Sequence, residues 1–441
     1  MPRKVLISFL GAGRYETSRY YHEDVQKAGP FLRYVQEATA RAFCKDWNEQ
    51  GTIIVFTTEK ARETHWNDNP ISNENEGLQC RLKALIQEEG FKGMSYKNVM
   101  IPDGLNEEGI WAIFETVFRE LQKGDEVIFD ITHAFRSIPM LGLVLLNYGE
   151  LLKDIKTERL CYGAFEARDT QLNTTPIVDL TSFVELQKWT GASRKMIHSG
   201  DTKELALLLR DTANKYDHLD KEVLLRFAGQ LTNFSEAIAT CRGRELSENI
   251  SFEELQELIE IQGSQGLPQL VPLLELIKKE LQPFKSASLK NGLAAVKWCL
   301  DHNMIQQGYT FLQETIKSLV IEQFDQKLVN EYKYRELVNQ VLAGVKEEYL
   351  KENAKDKGVE WEFVAHAIRL KDQYVINTSL SPWQKGNNQL VTIYRQLSKL
   401  RNDINHCGTN EDGQNFMEMH KQLYSLYRQV KELRLDDLFV L

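Results

Sequence analysis

The sequence lacks the features of several common protein classes. Its six cysteines include no C-x-x-C pair, which argues against a zinc cluster or a disulfide framework and fits a reducing compartment. No apolar run is long enough to span a bilayer. The apolar run at residues 5–10 is too short for a signal peptide and has no small-residue cleavage site. We therefore expect a cytoplasmic protein with no membrane partner.

The chain also lacks an excess of positive charge. Its formal net charge of −9 argues against a protein that coats nucleic acid non-specifically, but it permits an enzyme that holds a few phosphates in one basic site. The hydrophobic fraction of 42% is that of an ordinary globular protein. Because 441 residues exceed the usual size of one domain, we expect two or three domains.

The first part of the chain alternates short apolar runs with amphipathic stretches. The runs, which we predict to be strands, are residues 5–10, 52–57, 98–101, 126–131 and 160–165. The predicted helices between them are residues 31–47, 78–89, 110–121 and 138–152, and residues 174–183 are predicted to add a strand at the sheet edge. This alternation predicts a Rossmann-like α/β domain over residues 1–185, with a mostly parallel sheet and helices on both faces.

The rest of the chain has helical periodicity only. Apolar residues recur three and four apart, as in Leu390, Ile393 and Leu397, and runs typical of strands disappear. We predict an all-α domain of seven or more helices over residues 186–441. The join is expected between residues 181 and 202, where Gly191 and Gly200 interrupt the pattern.

Glycines follow the first predicted strand. The loop contains Ser8, Gly11, Ala12, Gly13 and Arg14, and we expect it at the carboxyl edge of the sheet, where open α/β sheets bind ligands. A glutamate stands where a dinucleotide-binding fingerprint has its third glycine, so the Rossmann signature is absent. A tight turn without a ligand is the alternative interpretation.

A second polar loop, residues 130–137, follows the strand at 126–131 and leads into a helix. Thr132, His133, Arg136 and Ser137 place two hydroxyls, an imidazole and a guanidinium around the helix N-terminus. Free backbone N–H groups and the helix dipole would assist these donors in binding phosphate oxygens. Alternatively, Thr132 or Ser137 only caps the helix, and His133 and Arg136 make surface contacts.

A third group of polar residues lies at the end of a strongly periodic helix. Asn402 and His406 are four apart and are predicted to share one face, Arg401 lies on the neighbouring face, and Gly408 is placed as a C-terminal cap. The alternative is a solvated helix end, because an arginine followed by a histidine at this spacing also occurs by chance.

Taken together, these motifs resemble the CARF–HEPN ribonucleases that accompany type III CRISPR systems. Residues 130–134 look like the D-x-T-H-G motif of one subset, with Ala134 where that motif has glycine. The loop at residues 8–14 is similar to the other ligand-binding loop of CARF domains. Arg401 and His406 match the R-x4-6-H motif of HEPN ribonucleases, and Asn402 matches its polar position. The resemblance covers the whole chain, with CARF first and HEPN last.

The resemblance implies a homodimer, or a higher oligomer, that binds a cyclic oligoadenylate between two CARF domains. We favour cyclic tetra-adenylate (cA4) over cyclic hexa-adenylate (cA6) as the activator. It further implies that paired HEPN domains cut single-stranded RNA with no metal and no cofactor. His406 would act as general acid/base, Arg401 would stabilise the charge on the phosphate, and Asn402 would orient the substrate or the imidazole.

Two other functions remain open. The chain could be a nucleotide-binding sensor or regulator without catalysis, although no element typical of DNA reading is found in the sequence. Alternatively, the CARF domain could itself cut its cyclic ligand, using 2′-hydroxyl chemistry near Thr132 or His133.

Overall fold

A computed structural model describes residues 2–23, 29–68, 76–133, 138–215, 220–257, 270–373, 389–409, 413–433 and 435, without the side chains of residues 138 and 139. The chain divides into two compact units, Met1–Gln187 and Lys188–Leu441. The first contains a β-sheet with helices, and the second is helical among its described residues, so the predicted order of an α/β domain before a helical domain is confirmed. No helix in the described ranges is long and apolar enough to cross a membrane.

The first unit is built on an eight-stranded sheet. Its strands are β1 (Lys4–Leu10), β2 (Ser18–Tyr21), β3 (Phe31–Leu32), β4 (Gly51–Thr57), β5 (Ser95–Met100), β6 (Glu126–Asp130), β7 (Lys156–Gly163) and β8 (Thr174–Asp179). The spatial order is β3-β2-β8-β7-β6-β1-β4-β5. The five strands from β7 to β5 are parallel, whereas β8 runs antiparallel to β7 and β3 antiparallel to β2.

Helices cover both faces of this sheet. They are α1 (Val35–Phe43), the short α2 (Glu59–Ala61) continued by a π-helical turn (Arg62–Trp66), α3 (Leu78–Leu85), α4 (Glu107–Glu120) and α5 (Ile138–Lys153). Helix α6 (Thr181–Ser199) begins in this unit and ends in the second. Strand β1 is buried from Val5 to Leu10, and its side chains alternate between two cores. Leu6 and Leu10 join the core under α1 and α3, while Val5, Ile7 and Phe9 join the core under α4 and α5. This double burial explains the continuous apolar runs.

In the first unit two sequence predictions are wrong, and two strands are missing from the prediction. The helix predicted at residues 31–47 is shorter, because Phe31–Leu32 pairs with β2 and the chain turns at Asp46 and Asn48 with positive φ. The strand predicted at the sheet edge, β8, lies between β7 and β2. Strands β2 and β3 were not predicted, because four and two residues are too short to show a period of two.

The second unit consists of packed helices in the part that the structure describes. They are α7 (Lys203–Lys215), α8 (Lys221–Ala239), α9 (Gly243–Glu248), α10 (Val271–Leu281), α11 (Asn291–Asp301), α12 (Ile305–Glu322), α13 (Tyr332–Ala343), α14 (Glu347–Asp356), α15 (Trp361–Gln373), α16 (Gln389–Asn405) and α17 (Phe416–Glu432). Helix α12 is buried along much of its length and contacts α11, α13, α16 and α17. It is therefore the central helix of this unit.

The predicted interruption at Gly191 is also wrong. Helix α6 runs through Gly191 without a break and ends at Ser199, where Gly200 takes a left-handed conformation with φ +71°. An isolated glycine costs a helix only about 1 kcal/mol, which the packing of neighbouring turns offsets. Gly200 does end the helix, as predicted.

Candidate functional site

The two polar loops of the first unit meet at one edge of its sheet. After β1 the chain forms the edge strands β2 and β3. It then adds β4 and β5 on one side of β1 and β6 and β7 on the other, so the strand order reverses between β1 and β6. Residues 11–13 follow β1, and residues 131–133 follow β6. A Cβ atom on Gly11 would lie 3.6 Å from the carbonyl oxygen of His133. This is the crevice in which open α/β sheets bind ligands.

A buried carboxylate connects the two loops. Asp130 has no exposed surface and accepts hydrogen bonds from the Ser8 hydroxyl at 2.8 Å, from the Thr132 backbone N–H at 3.0 Å and from the Thr132 hydroxyl. Thr132 Oγ1 in turn accepts from the backbone N–H of Gly163 at 2.8 Å. Burial raises the pKa of Asp130, while the three donors oppose that shift. Strands β1, β6 and β7 are thereby held in register at the site.

The hydroxyls of Ser8 and Thr132 are thus committed within the protein. Ser8 is fully buried. It therefore stabilises the second loop through its hydrogen bond to Asp130 and has no exposed surface for a ligand. Thr132 is partly buried, and its hydroxyl already donates to Asp130 and accepts from Gly163. The donors that remain for a ligand come from the loop backbones and from other side chains.

Aromatic rings form one wall of the crevice. The ring of Tyr15 lies 4.4 Å from that of His133 and 4.7 Å from that of His65, centroid to centroid. The Tyr15 hydroxyl oxygen accepts from the backbone N–H of Gly11 at 2.9 Å. Burial, and less strongly the adjacent His65, lowers the pKa of His133 to about 4. At pH 7 the His133 imidazole is therefore neutral, so it offers one N–H donor and no positive charge.

The first loop is open at its tip. Ala12 is partly buried and Gly13 is exposed, with nothing within 4 Å of the position that a Cβ on Gly13 would take. The Gly13 carbonyl oxygen lies 2.7 Å from Nε2 of His65. The Arg14 side chain is 88% exposed, and its nearest carboxylate, Glu16, is 4.0 Å away. Arg14 is thus a solvent-accessible cation at the mouth of the crevice.

Two predicted ligand-binding residues, Arg136 and Ser137, lie outside the described residues, together with Ala134. Three residues that the sequence did not single out belong to the crevice instead: Tyr15, Gln36 and His65. Gln36 is fully buried and donates to the carbonyl of Phe9 at 2.6 Å. The sequence could have indicated Tyr15 and His65, because they follow β1 and β4, whose carboxyl ends lie at this edge of the sheet. It held no comparable indication for Gln36.

In the second unit, Arg401 faces inward from α16. Its Nη1 donates to Oε1 of Gln313 on α12 at 2.8 Å, and the Gln313 amide donates to the Ser398 hydroxyl at 2.8 Å. The Nε atom of Arg401 is buried without a partner. Across the described ranges, no carboxylate forms an ion pair with Arg401; Glu314 is bound to Lys317 and Arg335, each at 2.7 Å. A partly buried guanidinium therefore has a neutral anchor and an uncompensated charge.

The other two predicted catalytic residues are exposed at the end of the same helix. Asn402 and His406 lie on the solvent side, and the backbone N–H of His406 donates to the carbonyl of Asn402 at 2.9 Å. Helix α16 ends at Asn405, and Gly408 takes a left-handed conformation with φ +62°, as predicted for a C-terminal cap. The structure thus brings Asn402 and His406 together, while the Arg401 side chain points towards α12.

Among the described residues, no three His, Cys, Asp or Glu side chains are grouped so that they could hold a metal ion.

Replacing Asp130 tests whether its carboxylate joins the two loops. Asp130→Ala leaves the Ser8 and Thr132 donors unsatisfied, so we expect the free energy of unfolding in urea to fall by about 2 kcal/mol or more. Asp130→Asn keeps an acceptor for Thr132, so its free energy of unfolding should fall by less than that of Asp130→Ala. Because burial raises the pKa of Asp130, the stability of the wild type relative to Asp130→Asn should decrease as pH rises through that pKa.

Asp169→Ala is the matched control. The Asp169 carboxylate also accepts two backbone N–H bonds, from Gln171 at 2.8 Å and Leu172 at 3.0 Å, but in an exposed turn. Its removal should cost less than about 1 kcal/mol, because water replaces the lost partner. Equal losses for Asp130→Ala and Asp169→Ala would contradict a structural role for the buried carboxylate.

The chain is similar to one curated protein. The chain is 24% identical over 344 residues to the CRISPR-associated protein MJ1674 of Methanocaldococcus jannaschii, and the alignment covers 77% of this chain and 46% of the relative. The chain thus spans about half the length of the curated relative it matches. No family model matches the chain. Over most of its length, then, the chain is similar to a CRISPR-associated protein.

Proposed function

We propose that the chain is a cyclic-oligoadenylate-activated, metal-independent endoribonuclease that acts in CRISPR defence. One observation carries the catalytic part of the proposal: the Arg401 guanidinium is partly buried, anchored by the neutral Gln313 and without a carboxylate partner in the described part of the chain. Buried charges in proteins are normally paired. An unpaired one is suited to a ligand of opposite charge, such as an RNA phosphate.

His406 supplies the proton-transfer group in this proposal. Its imidazole is exposed on the last turn of α16, where a strand of RNA can reach it. It would remove the proton of a ribose 2′-hydroxyl as that oxygen attacks the neighbouring phosphorus, or protonate the leaving 5′-oxygen. The products would be a 2′,3′-cyclic phosphate and a free 5′-hydroxyl. Arg401 would stabilise the additional negative charge on the phosphate.

Within one chain, Arg401 and His406 do not project to the same side. Arg401 faces α12, whereas Asn402 and His406 are exposed. Two copies of the motif, one from each subunit, would supply a cation and an imidazole on both sides of one phosphate. The proposal therefore requires a homodimer, and it assigns Asn402 to orienting the substrate or the imidazole.

Helix α5 offers the surface for such a dimer. Met140, Val144, Tyr148 and Leu151 form one stripe at helical spacing, and their side chains are 44% to 81% exposed. Contiguous apolar surface of this kind is characteristic of protein–protein contacts. Because α5 starts soon after the 131–133 loop, pairing two α5 helices about a two-fold axis would bring two copies of that loop close to the axis.

A symmetric cyclic oligoadenylate fits a two-fold site of this kind, since each subunit can offer it the same donors. The backbone amides of residues 11–13, the exposed Arg14 and the neutral His133 imidazole would meet its phosphates and bases. Arg136 and Ser137 remain proposed ligands. We favour cA4 over cA6 as the activator. The similarity to a CRISPR-associated protein over 77% of the chain supports a role in the same system.

The dimer can be tested through α5. In Val144→Glu/Leu151→Glu, a two-fold contact would bury two pairs of like charges, so the dimer should dissociate to a monomer in light scattering after size exclusion. Leu207→Glu is the control: Leu207, on α7, is 54% exposed, close to the 57% of Val144. A double variant that stays dimeric, or a wild-type chain that is monomeric at micromolar concentration, would contradict the proposed interface.

Catalysis is tested with His406→Ala. We expect RNA cleavage to fall by at least about 100-fold, as for loss of a general acid/base, while circular dichroism stays unchanged because His406 is exposed. Wild-type cleavage should persist in excess EDTA and leave cyclic-phosphate ends. His420→Ala is the control, since His420 is bound to the carbonyl of Leu300 and has no role in the proposal. Full activity of His406→Ala would refute the HEPN-type assignment.

A further inference from the structure

A cavity in the second unit lies apart from the residues of the sequence motifs. Its volume is about 300 Å³, and α9, α11, α12 and α13 surround it with the chain just before α9 and the turn before α13. Its lining is about equally polar and apolar, and the polar groups are hydroxyls, an amide, a thiol, two carboxylates and three guanidinium groups. A volume near 300 Å³ is at the lower end of ligand sites and suits one small molecule or one residue of a polymer.

The floor of this cavity has hydroxyl groups without protein partners. Ser247 and Thr315 are both buried and line the cavity, beside the ring of Phe311. Other hydroxyls on α12 donate to helix carbonyls, as Thr310 does to Gln306 at 3.1 Å. Among the described residues, the hydroxyls of Ser247 and Thr315 make no such bond. Because both residues line the cavity, their hydroxyls are free to bond to a polar ligand there.

The rim of the cavity has a net positive charge. Arg244 donates to Glu248 at 2.7 Å, and Arg335 donates to Glu314 at 2.7 Å, so each of these pairs is neutral. Arg242 is the third arginine of the lining; it is exposed, and no ion pair involves it in the ranges that the structure describes. The cavity thus combines a neutral interior with one uncompensated cation at its mouth.

Helix α12 connects this cavity to Arg401. Thr310 and Glu314 line the cavity, while Gln313, on the adjacent face of the same two turns, holds the Arg401 guanidinium. The Cys241 thiol lines the cavity near Thr310; burial raises its pKa, and Arg401 is close enough to oppose that shift. A strand of RNA whose phosphate meets Arg401 would therefore have neighbouring nucleotides within reach of the cavity.

We infer that this cavity binds one nucleotide unit of the RNA substrate, with the base against Phe311, Ser247 and Thr315 and a phosphate at Arg242. The inference rests on the proposed ribonuclease function and makes the cavity a site of base recognition. Hydroxyls that both donate and accept can read the edge of a base. A single phosphate matches the single uncompensated charge.

Calorimetric titration of the full chain with AMP, GMP, CMP and UMP, and with the corresponding nucleosides, tests this assignment. We expect at least one monophosphate to bind more tightly than its nucleoside. Arg242→Ala should weaken that monophosphate by about tenfold, the loss of one charge-assisted hydrogen bond, and leave the nucleoside affinity unchanged. Thr315→Val should weaken the binding of the monophosphate and that of the nucleoside by the same factor.

Arg428→Ala is the matched control, because Arg428 is exposed on α17 and its guanidinium contacts only Glu432 among the described side chains. Monophosphate binding that is equal in wild type, Arg242→Ala and Thr315→Val would place the ligand elsewhere and overturn the inference, as would no binding at all. Arg242 is exposed, so its variant stays informative if Thr315→Val fails to fold.

An RNA-cleavage assay on the same proteins separates this inference from the proposed function. Cleavage by a wild-type chain that binds no monophosphate would refute the cavity assignment and leave the ribonuclease standing. Monophosphate binding that depends on Arg242 and Thr315, in a chain that cuts no RNA, would support a nucleotide site and refute the ribonuclease.

Discussion

The hydrogen bonds to the buried Asp130 carboxylate hold together the two loops at the candidate ligand site of the first unit. Ser8 at the end of β1 and Thr132 after β6 both donate to it, and Thr132 continues the chain of bonds to Gly163 on β7. Three neighbouring strands therefore end at the same level, and the loops after them meet. A buried carboxylate is costly without donors, so the loop conformations and the carboxylate depend on one another.

The second unit has a corresponding constraint in α12. This helix packs against several others and provides Gln313, which fixes the Arg401 guanidinium without neutralising it. Glu314, the adjacent carboxylate, is occupied by Lys317 and Arg335. Because Glu314 is already paired, the positive charge of Arg401 is left without a carboxylate partner among the described residues. In this partly desolvated position it interacts more strongly with a phosphate than it would in water. The same helix lines the cavity that we assign to a nucleotide of the substrate.

The sequence predicted the order of the two units and six of the eight strands, because buried strands give continuous apolar runs. It could not place β8 inside the sheet, since its neighbour β2 has only four residues. It also missed Tyr15 and His65, whose contacts depend on how the loops fold. Gln313 lies 88 residues from Arg401, and no local pattern links them.

One measurement tests the central claim most directly: cleavage of a fluorescent single-stranded RNA by the purified wild-type chain, in EDTA, with cA4, cA6 or linear tetra-adenylate. A ligand activates only if it binds the active arrangement more tightly than the resting one. We expect low basal cleavage and a rise of at least about tenfold with cA4, within the usual range of allosteric coupling. The rise should be smaller with cA6 and absent with the linear form. Equal cleavage with and without every cyclic ligand, or none at all, would contradict the proposed function.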